Sequence, residues 1–229
     1  MRKKIVVLSG AGVSAESGIN TFRDADGLWE GHDIMEVASP EGWNSNRDLV
    51  NQFYNDRRRQ LMEVTPNQAH TDIAELEKEH DVHVITQNVD DLHERAGSNN
   101  VLHLHGELRK VRSTGDETLI YDWDKDIKIG DVCEKGFPLR PHIVWFGEAV
   151  PALDEAVDII RDAHIAVIIG TSLQVYPAAG LISYAPLGCK VYYIDPKPFI
   201  SHELKIREHT IIKDKATTGM KSLLSHINK

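Results

Sequence analysis

The chain has 229 residues, 41% hydrophobic and 27% charged, which is long enough for a full core and excludes a disordered, fibrous or low-complexity protein. Its 26 Lys and Arg stand against 35 Asp and Glu, and a formal net charge of -9 repels both nucleic acid and anionic membrane, so neither is expected as a partner. The two cysteines, Cys133 and Cys189, cannot supply four thiolates for zinc and fit a reducing compartment.

In chain order, Arg2, Lys3 and Lys4 precede only Ile5, Val6, Val7 and Leu8 before Ser9. That apolar run is too short for a signal core or a membrane span, so a soluble, cytoplasmic chain is expected. Further β-branched runs at 82–86, 101–105, 165–169, 191–194 and 210–212 are mostly continuous rather than alternating, as in strands buried on both faces of a parallel sheet. Between them, Thr65, Pro66 and Gln68 predict an N-cap, a first-turn proline and a capping-box glutamine, with Ala69, Ile73 and Leu76 on one apolar face. Residues 151–163 and 216–227 read as further helices. Strands alternating with helices predict an α/β fold with a Rossmann-like doubly wound parallel sheet.

Two stretches interrupt that alternation. Residues 24–66 contain no strand pattern and one helix at 48–62, whereas 107–141 reads as a polar hairpin turning at Ser113, Thr114, Gly115 and Asp116. These two insertions predict a small second lobe of about 32–66 and 108–140 against a main lobe of about 1–31, 67–107 and 141–229, within a single domain spanning 1–229. A lobe packed over the carboxyl ends of the strands would form a cleft.

The first strand runs into Gly10, Ala11, Gly12, Val13, Ser14 and Ala15, a GxGxxG/A pattern that lets backbone approach a pyrophosphate at a helix start. By itself the pattern also fits a tight turn. A nicotinamide dehydrogenase would continue with a helix, a second strand and an acidic residue about 20 positions on. Here a loop follows instead, bounded by Gly18 and Gly27 and containing Phe22 and Arg23, and loops of this length often close over sites.

These residues, with Gln87, Asn88, Val89, Asp90 and Asp91, then His105-Gly106, then Val144, Trp145, Phe146, Gly147 and Glu148, then Gly170, Thr171 and Ser172, resemble the sirtuins in type and order along nearly the whole chain. Sirtuins are NAD-dependent protein-lysine deacylases, and the resemblance is to a bacterial member of the class III type that lacks the zinc cysteines. It implies removal of succinyl, malonyl or acetyl groups from protein lysines, with nicotinamide and O-acyl-ADP-ribose as products and NAD consumed as co-substrate. The partners implied are acyl-lysine proteins or peptides, and a monomer is expected. A mono-ADP-ribosyltransferase using the same NAD site is the nearest rival, followed by a non-catalytic NAD or ADP-ribose binder.

The resemblance assigns NAD binding to Gly10, Ala11, Gly12, Ser14, Phe22, Arg23, Gln87, Asn88, Asp90, Gly170, Thr171, Ser172, Asp195 and Ala216. Asp195 stands where the family usually has asparagine, and it can accept a ribose hydrogen bond but not donate one. For Asn88 and Asp90 the competing reading is an Asx turn capping the next helix, which suits Asp91 better. His103 and His105 are two apart on an expected strand and so share a face. Histidine titrates near neutrality, and the resemblance makes His105 the general base while His103 stays structural.

Val144, Trp145, Phe146, Gly147 and Glu148 read equally as a core tryptophan near a turn or as an edge that pairs with substrate backbone, and the resemblance favours the edge. On the 48–62 helix, Val50, Phe53, Tyr54 and Leu61 form an apolar stripe that includes Arg57, while Arg58 and Arg59 flank it as a solvated charge run. An arginine on that face needs an anionic partner. Tyr54 and Arg57 also match the YxxR pair of class III sirtuins, which makes them acyl-binding candidates. Ser113 and a lone Cys133 stand where sirtuins commonly have two CxxC pairs, so zinc is expected to be absent. That region must then pack around Leu119, Ile120, Trp123, Ile127 and Phe137, with Cys133 a buried thiol.

Overall fold

The structure, a computed structural model, describes residues 2–20 and 28–227. Strand β1 (Lys4–Ser9) leads into two short 3₁₀ turns, followed by β2 (Leu28–Trp29), β3 (His32–Asp33) and helices α1 (Ile34–Val37), α2 (Pro40–Ser45), α3 (Arg47–Glu63) and α4 (Gln68–Glu75). Next come β4 (Asp81–Thr86), α5 (Leu92–Arg95), β5 (Val101–His103), β6 (Gly106–Ser113), β7 (Ile120–Asp122) and β8 (Leu139–Ile143). The chain continues through α6 (Leu153–Ile160), β9 (Ile165–Ile169), a 3₁₀ segment, β10 (Lys190–Ile194), α7 (His202–Lys205), β11 (His209–Ile212) and α8 (Ala216–Ile227).

Six strands form a parallel sheet in the order β11-β10-β9-β1-β4-β5. The continuous apolar runs of β1, β4, β9 and β10 have the expected cause, because those strands are covered on both faces, whereas edge strand β11 leaves Thr210 and Ile211 exposed. Ile5 and Val7 of β1 meet Ala69 and Ile73 of α4 and Met220 and Leu223 of α8, whereas Val6 and Leu8 face Ala156 and Ile160 of α6 and Leu181 and Ile182 of the 3₁₀ segment. From central β1 the chain turns to β4 on one side and later to β9 on the other, so a switch point lies at the carboxyl ends of β1 and β9.

The α4 start differs in detail from expectation. Asn67, not Thr65, is the N-cap: its side chain accepts from Ala69 N at 2.9 Å, and His70 rather than Gln68 completes the capping box. Asn ranks above Thr as a cap, and Pro66 therefore precedes the helix instead of opening it. After β1, two 3₁₀ turns ending at Gly18 with φ 97° replace the expected helix start. The 24–66 stretch also contains a two-residue hairpin, β2 with β3, which is too short to leave a periodic pattern.

The polar 107–141 stretch is a three-stranded antiparallel sheet, β7-β6-β8, rather than a hairpin alone. Val111, Ile127, Cys133 and Leu139 form its small core, with Leu119, Tyr121 and Trp123 packed against it. Ile120 and Phe137, expected inside, are each 43% exposed: β7 is only three residues long with Ile120 and Asp122 both exposed, and the Phe137 ring lies over Gly115, where a Cβ would stand 2.3 Å from it.

Candidate functional site

A cavity of about 630 Å³ opens at the carboxyl ends of the parallel strands. Following sheet order, its lining passes from Asp195 and Ala216 beyond β10 and β11, through Gly10, Ala11, Gly12, Gly170, Thr171 and Ser172 beyond β1 and β9, to Gln87, Asn88, Asp90 and His105 beyond β4 and β5. The opposite wall is Tyr54 and Arg57 of α3 with Val144, Trp145, Phe146 and Glu148 after β8. Ser14 sits behind the wall, fully buried, and Gly147 lies in the turn between lining residues. Phe22 and Arg23 lie outside the described residues.

The glycines bring two loops together backbone to backbone. A Cβ at Gly12 would stand 2.7 Å from Gly170 Cα and 2.8 Å from its carbonyl oxygen, and Gly12 N donates to that oxygen at 2.8 Å. Gly106 has φ 82°, and a Cβ there would run into the His142 carbonyl, so the chain can reverse after His105 only at glycine.

Beneath the loops lies a dense polar network. The Ser14 hydroxyl donates to Asp90 Oδ2 at 2.9 Å and accepts from Asn88 Nδ2 at 3.1 Å. Behind it, Ser9 donates to Thr86 Oγ1 at 2.8 Å, so the Nε2 of His93, 2.9 Å from the Ser9 oxygen, carries a hydrogen. Thr86 Oγ1 also accepts from Asn88 N at 3.0 Å, which anchors the loop after β4. Burial raises the Asp90 carboxyl above the usual carboxylate range and holds the His93 imidazole well below its own. The Asx turn belongs to Asp90, whose Oδ1 accepts from Leu92 N at 3.2 Å, and not to Asp91, which pairs with Arg109 at 2.9 Å and Arg95 at 3.4 Å. Two arginines outcompete the helix start for the Asp91 carboxylate.

His103 and His105 part company because β5 ends at His103. His103 meets the Asn88 carbonyl at 2.9 Å and the Glu94 carboxylate at 2.7 Å, so both ring nitrogens can donate. Burial is the largest single influence and opposes its charge, but the bond to Glu94 and its charge, with the Asn88 carbonyl and the Glu107 charge, together raise the pKa. The Nδ1 of His105 lies 3.1 Å from the Gln87 carbonyl and must carry the hydrogen, leaving Nε2 a free lone pair. Burial lowers the His105 pKa. Of the two, His105 is the neutral imidazole on the cavity.

Helix α3 buries two stripes, one more than the hydrophobic pattern predicts. Val50, Phe53, Tyr54 and Leu61 form the expected one, and Asn51, Asn55 and Arg58 form a polar second at i, i+4 and i+7. Arg58 is therefore not solvated: it is 1% exposed and donates to the Leu108 carbonyl at 2.7 Å and Asn55 Oδ1 at 2.9 Å. Desolvation brings its pKa down to about 10. Arg59 is exposed as expected and pairs with Asp56 and Asp126. Arg57 lies with its guanidinium 4.9 Å from the Phe53 ring centre. Its Nε is buried with no hydrogen-bond partner among the described residues, and no carboxylate among them forms an ion pair with it. Beside it, Tyr54 is fully buried and its oxygen accepts from Trp145 Nε1 at 3.0 Å, which leaves the phenolic hydrogen to donate elsewhere.

A profile of the Sir2 family matches residues 10–177, from the first glycine of the loop to the cavity wall. The chain belongs to the Sir2, or sirtuin, family. It is 64% identical over 200 residues to a Helicobacter pylori protein named NAD-dependent protein deacylase, covering 87% of each chain. A Bacteroides thetaiotaomicron protein of the same name is 52% identical over 227 residues, 96% of each. Among solved structures, a Sir2 homologue in complex with ADP-ribose superposes with a TM-score of 0.89 at 40% identity, over 99% of this chain and 92% of that one. A Sir2 homologue solved with NAD gives 0.87 at 40%, over 99% and 90%.

The residues lining this cavity fit a dinucleotide. Side-chain-free backbone at Gly10, Gly12 and Gly170 flanks polar groups at Asn88, Thr171 and Asp195, and the cavity has the volume of a cofactor pocket. Asp195 is 2% exposed, and its Oδ1 accepts from Lys197 N at 2.8 Å, which fixes the carboxylate. Among the described residues no three His, Cys, Asp or Glu side chains cluster closely enough to hold a metal ion. Where the family's zinc cysteines would begin, the Ser113 hydroxyl oxygen accepts from Gly115 N and Asp116 N at 3.2 Å each and from the Cys133 thiol at 3.3 Å.

Proposed function

We propose that this sirtuin uses NAD to remove acyl groups from protein lysines and that it accepts the acidic acyl groups succinyl and malonyl as well as acetyl. NAD, when bound, supplies an anomeric carbon whose bond to nicotinamide can be exchanged for one to the acyl oxygen. The loops carrying Gly10, Ala11, Gly12, Gly170, Thr171 and Ser172 would hold its phosphates and riboses, Asp195 and Ala216 its adenosine half, and Gln87, Asn88 and Asp90 its nicotinamide half. Ser14 acts from behind by keeping Asn88 and Asp90 in place.

His105 is the base in this reading. Its Nδ1 hydrogen is committed to Gln87, so Nε2 takes the hydroxyl proton, and burial keeps the imidazole neutral and ready at pH 7. The segment containing Val144, Trp145, Phe146, Gly147 and Glu148 serves as the edge against which an extended acyl-lysine peptide lies.

The acyl preference rests on one observation, the unpartnered buried Nε of Arg57 on the cavity wall. A buried guanidinium nitrogen so placed has lost water without gaining a partner, and a carboxylate at the end of a short acyl chain supplies one, with the Tyr54 hydroxyl as a second donor. Mass spectrometry of acetyl-, malonyl- and succinyl-lysine peptides incubated with NAD tests the reading. NAD-dependent removal with succinyl at least as efficient as acetyl is expected; removal of acetyl alone would discard the acidic preference, and none would discard the deacylase.

A further inference from the structure

At the peptide edge Glu148 centres a charge cluster, with two buried arginines behind it, that the reaction itself does not use. The Glu148 carboxylate accepts from Arg140 Nη1 at 2.7 Å and Nη2 at 2.9 Å, from Arg112 Nη2 at 3.1 Å and from the backbone N of Trp145 at 2.8 Å. Burial is the largest single influence and opposes the carboxylate charge, but the Arg140 bond, the Trp145 N–H and the charges of Arg140 and Arg112 together hold Glu148 below the usual range. The Arg140 guanidinium also lies flat on the Trp145 ring, its Cζ 3.4 Å from the ring centre. Arg112 and Arg140 are 7% and 8% exposed. Packing alone gives no reason for this arrangement, since well-packed apolar side chains of similar volume commonly match or exceed a buried ionic triad in stability.

What the cluster grips is the acyl-lysine side of the cavity. Glu148 closes the turn at both ends, because its own N donates to the Trp145 carbonyl at 3.0 Å while its carboxylate takes the Trp145 N–H. Trp145, held from below by Arg140, donates Nε1–H to Tyr54, and that donation decides which way the phenolic hydrogen points. Resting on the deacylase reading above, we propose that Arg140 is a positioning residue for the acyl-lysine substrate: through Glu148 it fixes the peptide edge, and through Trp145 it orients the Tyr54 hydroxyl. Arg112 seconds it on the same carboxylate. The dinucleotide loops make no hydrogen bond with this cluster among the described residues, so NAD should not sense it.

The test is Arg140→Lys and Glu148→Gln beside wild type, with the affinity for a fluorescent succinyl-lysine peptide read by anisotropy and the KM values for peptide and NAD read from turnover. Lysine keeps the charge but neither the two-pronged donation nor the flat stack, and glutamine keeps the shape without the charge. Each variant should weaken peptide binding about tenfold or more and raise the peptide KM alike, while the NAD KM moves less than about twofold. A lysine variant with wild-type peptide affinity overturns the proposal, as do peptide and NAD parameters that worsen together, which is the mark of general loosening. A wild-type chain that binds the acyl peptide but does not deacylate it overturns the deacylase reading alone, because the affinities still decide the positioning role. Failure of wild type to bind the peptide overturns both.

Discussion

Ser14 donates its hydroxyl proton to Asp90 at 2.9 Å, tying the glycine loop after the first strand to the loop after the fourth. The rest of the bonding at that oxygen can be counted. His70 Nδ1 accepts from Asn67 N at 3.3 Å, so His70 Nε2 bears the hydrogen and points at the Ser14 oxygen from 3.4 Å. With Asn88 Nδ2 as a second donor, both lone pairs and the one hydrogen of the hydroxyl are used. A serine with no spare capacity holds its neighbours in one arrangement, which is what a preorganised pocket needs.

Acid should loosen this network through His70. Burial pushes its pKa from 6.5 down to about 4, so as the pH falls the unfolded chain takes up the proton first. The stability concerned is fully present above pH 6.5 and is lost progressively toward pH 4, on the order of 3 kcal/mol in all. His70→Gln can keep both bonds, accepting from Asn67 and donating to Ser14, without titrating. Melting temperatures between pH 7.5 and 5 should therefore fall by several degrees more for wild type than for the variant. Equal slopes would show that His70 is not the titrating group.

His105→Ala should abolish deacylation while leaving NAD affinity and the melting temperature nearly intact, because the Nε2 lone pair acts only once substrates are bound. Since burial lowers its pKa, the acid limb of kcat/KM should fall below the ordinary histidine value. His103→Gln should change turnover far less, because the His103 ring nitrogens are committed to Asn88 and Glu94. Near wild-type turnover in His105→Ala would place the base elsewhere.

Much of this was readable from the residues, and the misses share a cause. Runs such as Ile165–Ile169 announce buried parallel strands because five successive apolar side chains can be covered only by layers on both faces. What failed were choices between polar partners. Asn67 took the helix cap that Thr65 could have taken, and Asp90 took the turn because Arg95 and Arg109 claimed Asp91. Arg58 looked solvated since its carbonyl partners lie 50 and 67 residues away, though the spacing of Asn51, Asn55 and Arg58 carried a signal for a second buried stripe. The Arg140 and Arg112 clamp on Glu148 could not be foreseen at all, since it depends on how β6 and β8 pair.

Purified protein should contain no stoichiometric zinc by elemental analysis, and a chelator should leave its melting temperature unchanged. The small sheet is held instead by Val111, Ile127, Cys133 and Leu139 and by the Ser113 hydroxyl at its turn. Cys133→Ala should accordingly cost only about 1 kcal/mol, as loss of a small packed side chain does, rather than the collapse that follows loss of a structural metal ligand. About one zinc per chain would contradict this.

Arg57→Met should remove desuccinylation selectively. Methionine keeps an unbranched stem to pack against Phe53 and Leu61, so α3 should survive, but it offers a carboxylate neither charge nor donors. Hydrogen bonds to charged groups contribute roughly 1.5 to 3 kcal/mol, so kcat/KM for succinyl-lysine peptide should fall about ten- to a hundredfold. Acetyl-lysine, with no carboxylate to meet Arg57, should be affected little and could gain, because the variant relieves the buried unpartnered Nε. Tyr54→Phe should cost less on succinyl substrate than Arg57→Met, since it removes one hydroxyl and no charge, although it also strips Trp145 Nε1 of its acceptor. Parallel measurement of both acyl substrates decides: equal losses would assign Arg57 a structural role, and unchanged desuccinylation would mean that another group receives the carboxylate.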